Sequence, residues 1–294
     1  MLKQTLFFSS AAKLSLKNQQ LIISWKDSND IISRPIEDIG FVILECQMIS
    51  ISLPLINELV ENNVCIIICN NKGMPSSIVQ GLENNAIQAE NIKKQVAVSD
   101  PTKKQAWKQI VEQKIKNQAA LLNKVGESGG LLKHLYTDVK SGDTTNREGL
   151  AARQYWPMLF GKDFKRDREG EAPNSLLNYG YSILRAATTR ALLGAGLLPA
   201  LGVFHRNRYN SFPLADDLME PFRPYVDEIA YYAMEENYTE IDKETKARMF
   251  RLLFADVSIA NVVRPLQLAL TISAASLVKY YKGEIKTLTL PHFK

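Results

Sequence analysis

Residues 101–125 read PTKKQAWKQIVEQKIKNQAALLNKV, and the fold class turns on them. Pro101 suits a first helical turn, and Trp107, Ile110, Val111, Ile115, Ala119 and Leu122 recur along one stripe, so the spacing predicts a long amphipathic helix. Upstream the text differs. QTLFFSS, KLSLK, QLIISW, ISRPIEDI and FVILECQMI are short, rich in β-branched and aromatic residues, and divided by polar turns such as KNQQ and KDSND, as strands are. SLPLINELVENN predicts one helix with Ser52 as its cap, and the uniformly apolar VCIIIC predicts a strand covered on both faces. NNKGMPSS (70–77) reads as turn, and helical periodicity dominates from about Ala86, with helices expected over 130–139, 145–160, 173–196, 213–236, 242–255 and 261–281 and an extended tail, LTLPHFK. The expected class is α+β: a small β-rich N-terminal domain over 1–84, then a larger all-helical domain over 85–294.

Composition sets the outer limits. The 294 residues, 46% hydrophobic and 23% charged, are those of a globular chain with ample material for a core. A net charge of +5 permits a nucleic-acid partner without arguing for one. Cys46, Cys65 and Cys69 lie in strand-like apolar text, which favours reduced core thiols in a cytoplasmic protein, and Cys-x3-Cys without a nearby histidine is a poor zinc site. The apolar patch in MLKQTLFFSSAAK is too short for a signal peptide, and Ala191–Phe204, broken by Gly194, Gly196, Pro199 and Gly202, is too short for a membrane span.

Three places combine residue types that carry chemistry. In TTNREGLAARQYWPMLFG, Glu148 falls in the first turn of a helix, where Thr145-x-x-Glu148 fits a capping box; Arg147 and Arg153 beside it also suit phosphate near a metal. His205 follows GAGLLPALGVF at a glycine-punctuated boundary, a place for a packing or capping residue, but Arg206 and Arg208 favour a solvated or phosphate-facing position. In ADDLMEPFRP a helix would turn Asp216 and Glu220, or Asp217 and Glu220, to one face, where their repulsion is tolerated if a cation sits between them. Pro221 and Pro224 should deprive the carbonyls of Asp217 and Glu220 of helical partners and kink the chain there. The acidic residues also fit as plain decoration of an amphipathic helix. Carboxylate, imidazole and carboxylate among arginines suit Mn²⁺ or Mg²⁺, and such an ion supports phosphoryl transfer. No Walker loop, GxGxxG turn or Ser-His-Asp order competes, and the charge-alternating GKDFKRDREGE (161–171) reads as an exposed loop whose Lys162 and Lys165 can meet a DNA backbone.

The linked motifs N-x-E-G-x-x-A-R-x-Y-W (146–156), NSLLNYGYSILRA (174–186), G-L-x-P-x-x-G-x-x-H (196–205) and ADDLMEPFRP together resemble the CRISPR-associated protein 1 family, with its type II members the nearest in pattern. The resemblance implies an integrase and endonuclease of CRISPR spacer acquisition, in which a 3′-hydroxyl of a short DNA duplex attacks a phosphodiester at the edge of a repeat. It matches Glu148, His205 and Glu220 to the family's metal-binding triad, with Glu220 where many members have aspartate and Asp217 as an alternative ligand or supporting partner. Around the motifs that carry the resemblance, Arg147, Arg153, Arg206, Arg208, Lys162 and Lys165 are the DNA contacts expected from their charge. The resemblance also implies a homodimer through the β-rich domain, a heterohexamer with CRISPR-associated protein 2, contact with other type II CRISPR proteins, double-stranded DNA as donor and target, and no membrane partner. A stand-alone repair nuclease and a non-catalytic DNA-binding scaffold are the competing classes.

Overall fold

The computed structural model describes residues 3–25, 30–81, 83 and 85–294, and the chain divides into two compact units, Met1–Asn84 and Asn85–Lys294. The first unit holds β1 (Gln4–Phe8), β2 (Ala12–Lys17), β3 (Gln20–Trp25), β4 (Ile31–Pro35), β5 (Ile39–Leu44), β6 (Ser50–Ile51), α1 (Leu53–Glu61), β7 (Cys65–Cys69) and β8 (Pro75–Val79). They form two four-stranded sheets, ordered β1-β5-β7-β8 and β4-β3-β2-β6. The register puts Leu14 against Ile23 and Leu16 against Leu21, and every second residue of β2 and β3 turns toward a core with Ile36, Ile39, Val42, Leu55, Leu59 and Ile66.

Three local expectations for this unit change. Ser52 occupies the cap position of α1 but its side chain caps nothing. Ile68 of VCIIIC is 38% exposed, so β7 is covered on both faces for most of its length only. The turn text ends early: Asn70 accepts the N–H groups of Lys72 and Met74 through Oδ1, which closes the turn and leaves Pro75–Val79 free to pair antiparallel with β7. The KDSND turn lies mostly outside the described residues.

The second unit contains α2 (Gln88–Ala97), α3 (Asp100–Lys124), α4 (Lys133–Tyr136), α5 (Arg147–Phe160), α6 (Asn174–Gly194), α7 (Pro213–Met219), α8 (Arg223–Glu235), α9 (Lys243–Phe250), β9 (Asp256–Ile259), β10 (Val262–Pro265) and α10 (Leu266–Tyr281). Ser99 caps α3 by accepting the N–H of Thr102. At 1.5 Å per residue α3 runs about 37 Å, and α5, α7 and α8 all pack along it. A second long helix, α6, lies against α7, α8 and α10. Gly180 permits that approach, since a Cβ there would lie 2.4 Å from Val226 on α8. No described helix is long and apolar enough to cross a membrane.

The unit is helical apart from one hairpin where a helix start was expected. Ala260 and Asn261 both take positive φ, the two-residue turn that suits a twisted hairpin, and Pro265 then opens α10. The tail docks beside it: the His292 N–H donates to the Ser258 carbonyl and the Phe293 N–H to Asn117 Oδ1 on α3.

Candidate active site

Glu148 reaches the site because other residues cap α5. The Asp143 carboxylate accepts the N–H groups of Arg147 at 2.7 Å and Glu148 at 3.0 Å, and Asn146, in a left-handed conformation, accepts that of Gly149. The Thr145 capping box is therefore replaced, and the Glu148 carboxylate is released from the helix end. Gly149 is part of the same device, because a Cβ there would come within 2.7 Å of the Asn146 amide.

The released carboxylate meets a residue not singled out in the sequence. Lys114 Nζ, on α3, lies 2.6 Å from Glu148 Oε1 and 2.6 Å from Glu220 Oε2, so one ammonium is shared by two carboxylates from different elements. Glu220 opens a 3-10 turn over Glu220–Phe222 between α7 and α8, where Pro221 interrupts the α-helical bonding. The orphaned carbonyls predicted there are satisfied by shorter bonds, with the N–H of Glu220 donating to the Asp217 carbonyl and that of Arg223 to the Glu220 carbonyl. Arg223 Nε also stands 2.9 Å from Glu220 Oε1, and its guanidinium covers the Tyr181 ring at 4.4 Å from the centroid. Neither contact on Glu220 is aligned as a hydrogen bond: Glu220 Oε2 and Arg223 Nε are buried without one, so these are ion pairs by distance alone.

The three carboxylates of ADDLMEPFRP do not share one face around a cation. Asp216 pairs with Arg185, Nε to Oδ1 at 2.6 Å, and accepts from the Asn210 amide at 2.7 Å. Asp217, fully buried, accepts the N–H groups of Val203 and Phe204 through Oδ2 and that of His205 through Oδ1. His205 Nδ1 stands 2.6 Å from the same Oδ1. A carboxylate can only accept, so Nδ1 carries the proton, and in the neutral ring Nε2 holds the lone pair. The imidazole is half-exposed and meets the edge of Trp107 with centroids 5.6 Å apart. Gly202 lets this loop close, because a Cβ there would come within 2.6 Å of the His205 carbonyl.

Charge follows the geometry. The hydrogen bond to Asp217 raises the His205 pKa, with Glu220 and Glu148 adding to it against burial. Burial opposes the charge on Lys114, yet Glu148 and Glu220 hold its pKa above the ordinary lysine value. Burial likewise opposes the charge on Glu220, and Arg223 and Lys114 outweigh it, keeping the carboxyl below its usual range. Beneath them Asp227 accepts from the Tyr155 hydroxyl at 2.8 Å and from that of Tyr181, and burial pushes it up to about 6.

His205 sits between two basic clefts. One, of about 710 Å³, includes Arg166, Arg168, Arg185 and Arg223; the other, of about 380 Å³, includes Lys103, Arg206 and Arg208. Arg206 and Arg208 are exposed, as are Arg153, Lys162 and Lys165; Arg206 pairs with Asp100 at 3.2 Å, and Arg147 is paired with Asp138. The 161–171 segment is not merely an exposed loop: Arg166 turns inward to Asn174 and Asn178, and Asn174 also accepts the N–H of Asp167.

Among the described residues, no three His, Cys, Asp or Glu side chains are gathered closely enough to ligate one metal ion. The donor chemistry still fits a hard dication. Glu148 and Glu220 already share one cation, Glu220 Oε2 is a buried oxygen without a hydrogen bond, and oxygen ligands with one imidazole suit Mn²⁺ or Mg²⁺. Glu148 and Glu220 would give such an ion oxygens and His205 Nε2 a nitrogen, with Lys114 displaced and the three side chains drawn closer together.

The model of the family described as CRISPR associated protein Cas1 matches residues 6–262. The chain belongs to the Cas1 family. The CRISPR-associated endonuclease Cas1 of Neisseria meningitidis serogroup C is 36% identical over 260 residues, covering 87% of this chain and 84% of that protein. The Cas1 fold extends to more distant solved structures. A casposase bound to integration product superposes with a TM-score of 0.81 at 20% identity, over 98% of this chain and 92% of that one. A chain of a Cas6-RT-Cas1–Cas2 complex gives 0.71 at 21% identity, over 97% of this chain and 35% of that one.

Proposed function

We propose that this Cas1-family chain is the integrase of CRISPR adaptation, joining the 3′-hydroxyl of a short double-stranded DNA fragment to a phosphodiester at the edge of the CRISPR repeat, with DNA cleavage a related activity of the same site. The observation that carries this reading is the pair Glu148 and Glu220, brought from two elements onto one cation, with the half-exposed His205 imidazole lining two basic clefts. Transesterification exchanges one phosphodiester for another, so no nucleotide cofactor is called for.

Mn²⁺ or Mg²⁺ held by Glu148, Glu220 and His205 would polarise the attacked phosphodiester and ease in-line displacement. The protein's own groups do the rest. Asp217 fixes the imidazole through Nδ1 so that Nε2 faces outward as a ligand rather than a base. Arg206 and Arg208, exposed next to His205, hold phosphates of the DNA, and Arg153, Lys162 and Lys165 extend that surface. Arg147, tied to Asp138, would reach DNA only by exchanging that partner.

The partners follow from the family: a homodimer through residues 1–84, two such dimers bridged by Cas2 in a heterohexamer, further type II CRISPR proteins, and cytoplasmic DNA. The occurrence of a chain of the same fold in a complex named for Cas1 and Cas2 supports the Cas2 assignment. The test is a joining assay with a labelled duplex, a repeat-bearing plasmid, Cas2 and Mn²⁺. Glu220→Ala is expected to lose joining while its elution as a dimer is unchanged. Joining retained by that variant would remove Glu220 from the site, and cutting without joining by the wild type would mark a stand-alone nuclease.

A further inference from the structure

We propose that Lys114 is a resident counter-ion for Glu148 and Glu220, one that a divalent metal must displace, and that it thereby lowers the metal affinity of the DNA-free protein. The inference rests on reading Glu148 and Glu220 as metal ligands.

Lys114 lies on the buried face of α3, one turn beyond Ile110 and Val111 and two beyond Trp107, where a charge is costly unless paired. Its pairing is complete in one respect: the nitrogen sits 2.6 Å from an oxygen of each carboxylate. A hard dication binds carboxylate oxygens at about 2.0–2.2 Å, so it cannot share that place with the ammonium. Charge points the same way. Lys114 and Arg223 already offset the charges of Glu148 and Glu220, so a dication added without a departure would meet two cations beside the same carboxylates, at a cost in repulsion.

Of the two cations, Lys114 is the one able to leave. Arg223 is held over the Tyr181 ring at 4.4 Å and beside Glu220, whereas the ammonium stands on a flexible four-carbon stem. A displaced ammonium finds a new partner in the phosphodiester anion that DNA brings to the site. Metal and DNA phosphate therefore help each other in, and the DNA-free protein is kept from loading fully. In the absence of metal the ammonium also suppresses repulsion between the two carboxylates.

Equilibrium Mn²⁺ binding to the DNA-free protein, followed by the electron paramagnetic resonance of free Mn²⁺, tests this. Lys114→Met is expected to bind at least ~10-fold more tightly than wild type, with the gain lost in Lys114→Met/Glu148→Gln, while Lys114→Arg, which keeps the charge, binds as wild type does. Thermal unfolding gives the second readout. In chelator Lys114→Met should melt below wild type, and Mn²⁺ should raise its midpoint by more than it raises the wild type's. If Lys114→Met cannot be kept folded in chelator, the shorter neutral Lys114→Gln makes the same comparison. Affinity unchanged or weakened in the neutral variants, with wild-type binding measurable, overturns the role of Lys114 and leaves the metal site standing. Affinity raised equally in Lys114→Arg overturns it too. Mn²⁺ bound by no variant, wild type included, removes the metal site and this inference together.

Discussion

Asp217 shows how much a single side chain does at this site. Its two oxygens accept three backbone N–H groups and the imidazole Nδ1–H, and the carboxylate is sealed from solvent. Asp217→Asn keeps the shape but loses the charge and one acceptor, so the ring is held less firmly; joining is expected to fall ~10–100-fold, the usual range for removing a ligand's supporting partner. Joining rates for a folded variant, verified by circular dichroism, check this, and an unchanged rate would make Asp217 a loop anchor only. The residue types at the site were legible from sequence, since glutamate, histidine and arginine are conspicuous in short motifs. Lys114 was not, because one more lysine on the lysine-rich α3 reads as a solvated charge; its placement three residues after Val111 and four after Ile110 was the available signal. The division of labour within ADDLMEPFRP was equally hidden, for sequence spacing alone does not say that Asp216 finds Arg185, Asp217 finds His205 and Glu220 finds Lys114.

At the scale of elements, the site depends on where helices start and stop. The loop between α6 and α7 carries His205, and Gly202 lets it fold back on itself; a Cβ would meet the His205 carbonyl at 2.6 Å, a backbone atom that cannot simply rotate away. Gly202→Ala should therefore shift the imidazole, lowering joining by at least ~10-fold and stability by about 1–3 kcal/mol. Gly194→Ala, with nothing within 4 Å of the new Cβ, should leave both nearly unchanged; joining rates and urea midpoints for the pair decide it. The long helices and most strands were readable because their periods of 3.6 and 2 are strong. The β9–β10 hairpin was missed because its two central residues, Ala260 and Asn261, lack the glycine that usually announces such a turn, although Val257, Ile259, Val262 and Val263 favour strand. The kink after Glu220 was foreseen from its prolines, but the 3-10 bonds that rescue its carbonyls depend on backbone geometry that composition does not reveal.

In the helical unit as a whole, α5, α6 and α8 are tied together at one buried point, where Tyr155 and Tyr181 donate to Asp227. Burial raises the Asp227 pKa from 3.8 to about 6, so the folded state binds this proton more tightly than the unfolded chain does. The sign is thus opposite to that of an ordinary salt-bridged carboxylate: the contribution to stability is greatest below about pH 4 and declines as pH rises to about 6. Urea unfolding at pH 4.5 and pH 7 should show wild type losing stability relative to Asp227→Asn as pH increases, and a relative gain would contradict it. The order of a β-rich part before a helical part was visible in the change of hydrophobic period, whereas the tail's docking at α3 and the hairpin, through His292 and Phe293, had no local signal because its partners lie far away in sequence. Within the helical unit stand Glu148 and Glu220, the proposed working pair of the proposed integrase. The most direct test of that pair is joining of a labelled short duplex to a repeat-bearing plasmid, with Cas2 and Mn²⁺, by wild type and Glu148→Ala. Metal-dependent joining by wild type that is abolished in the variant is the expected result, and equal joining by both would show that Glu148 is only part of a helix start.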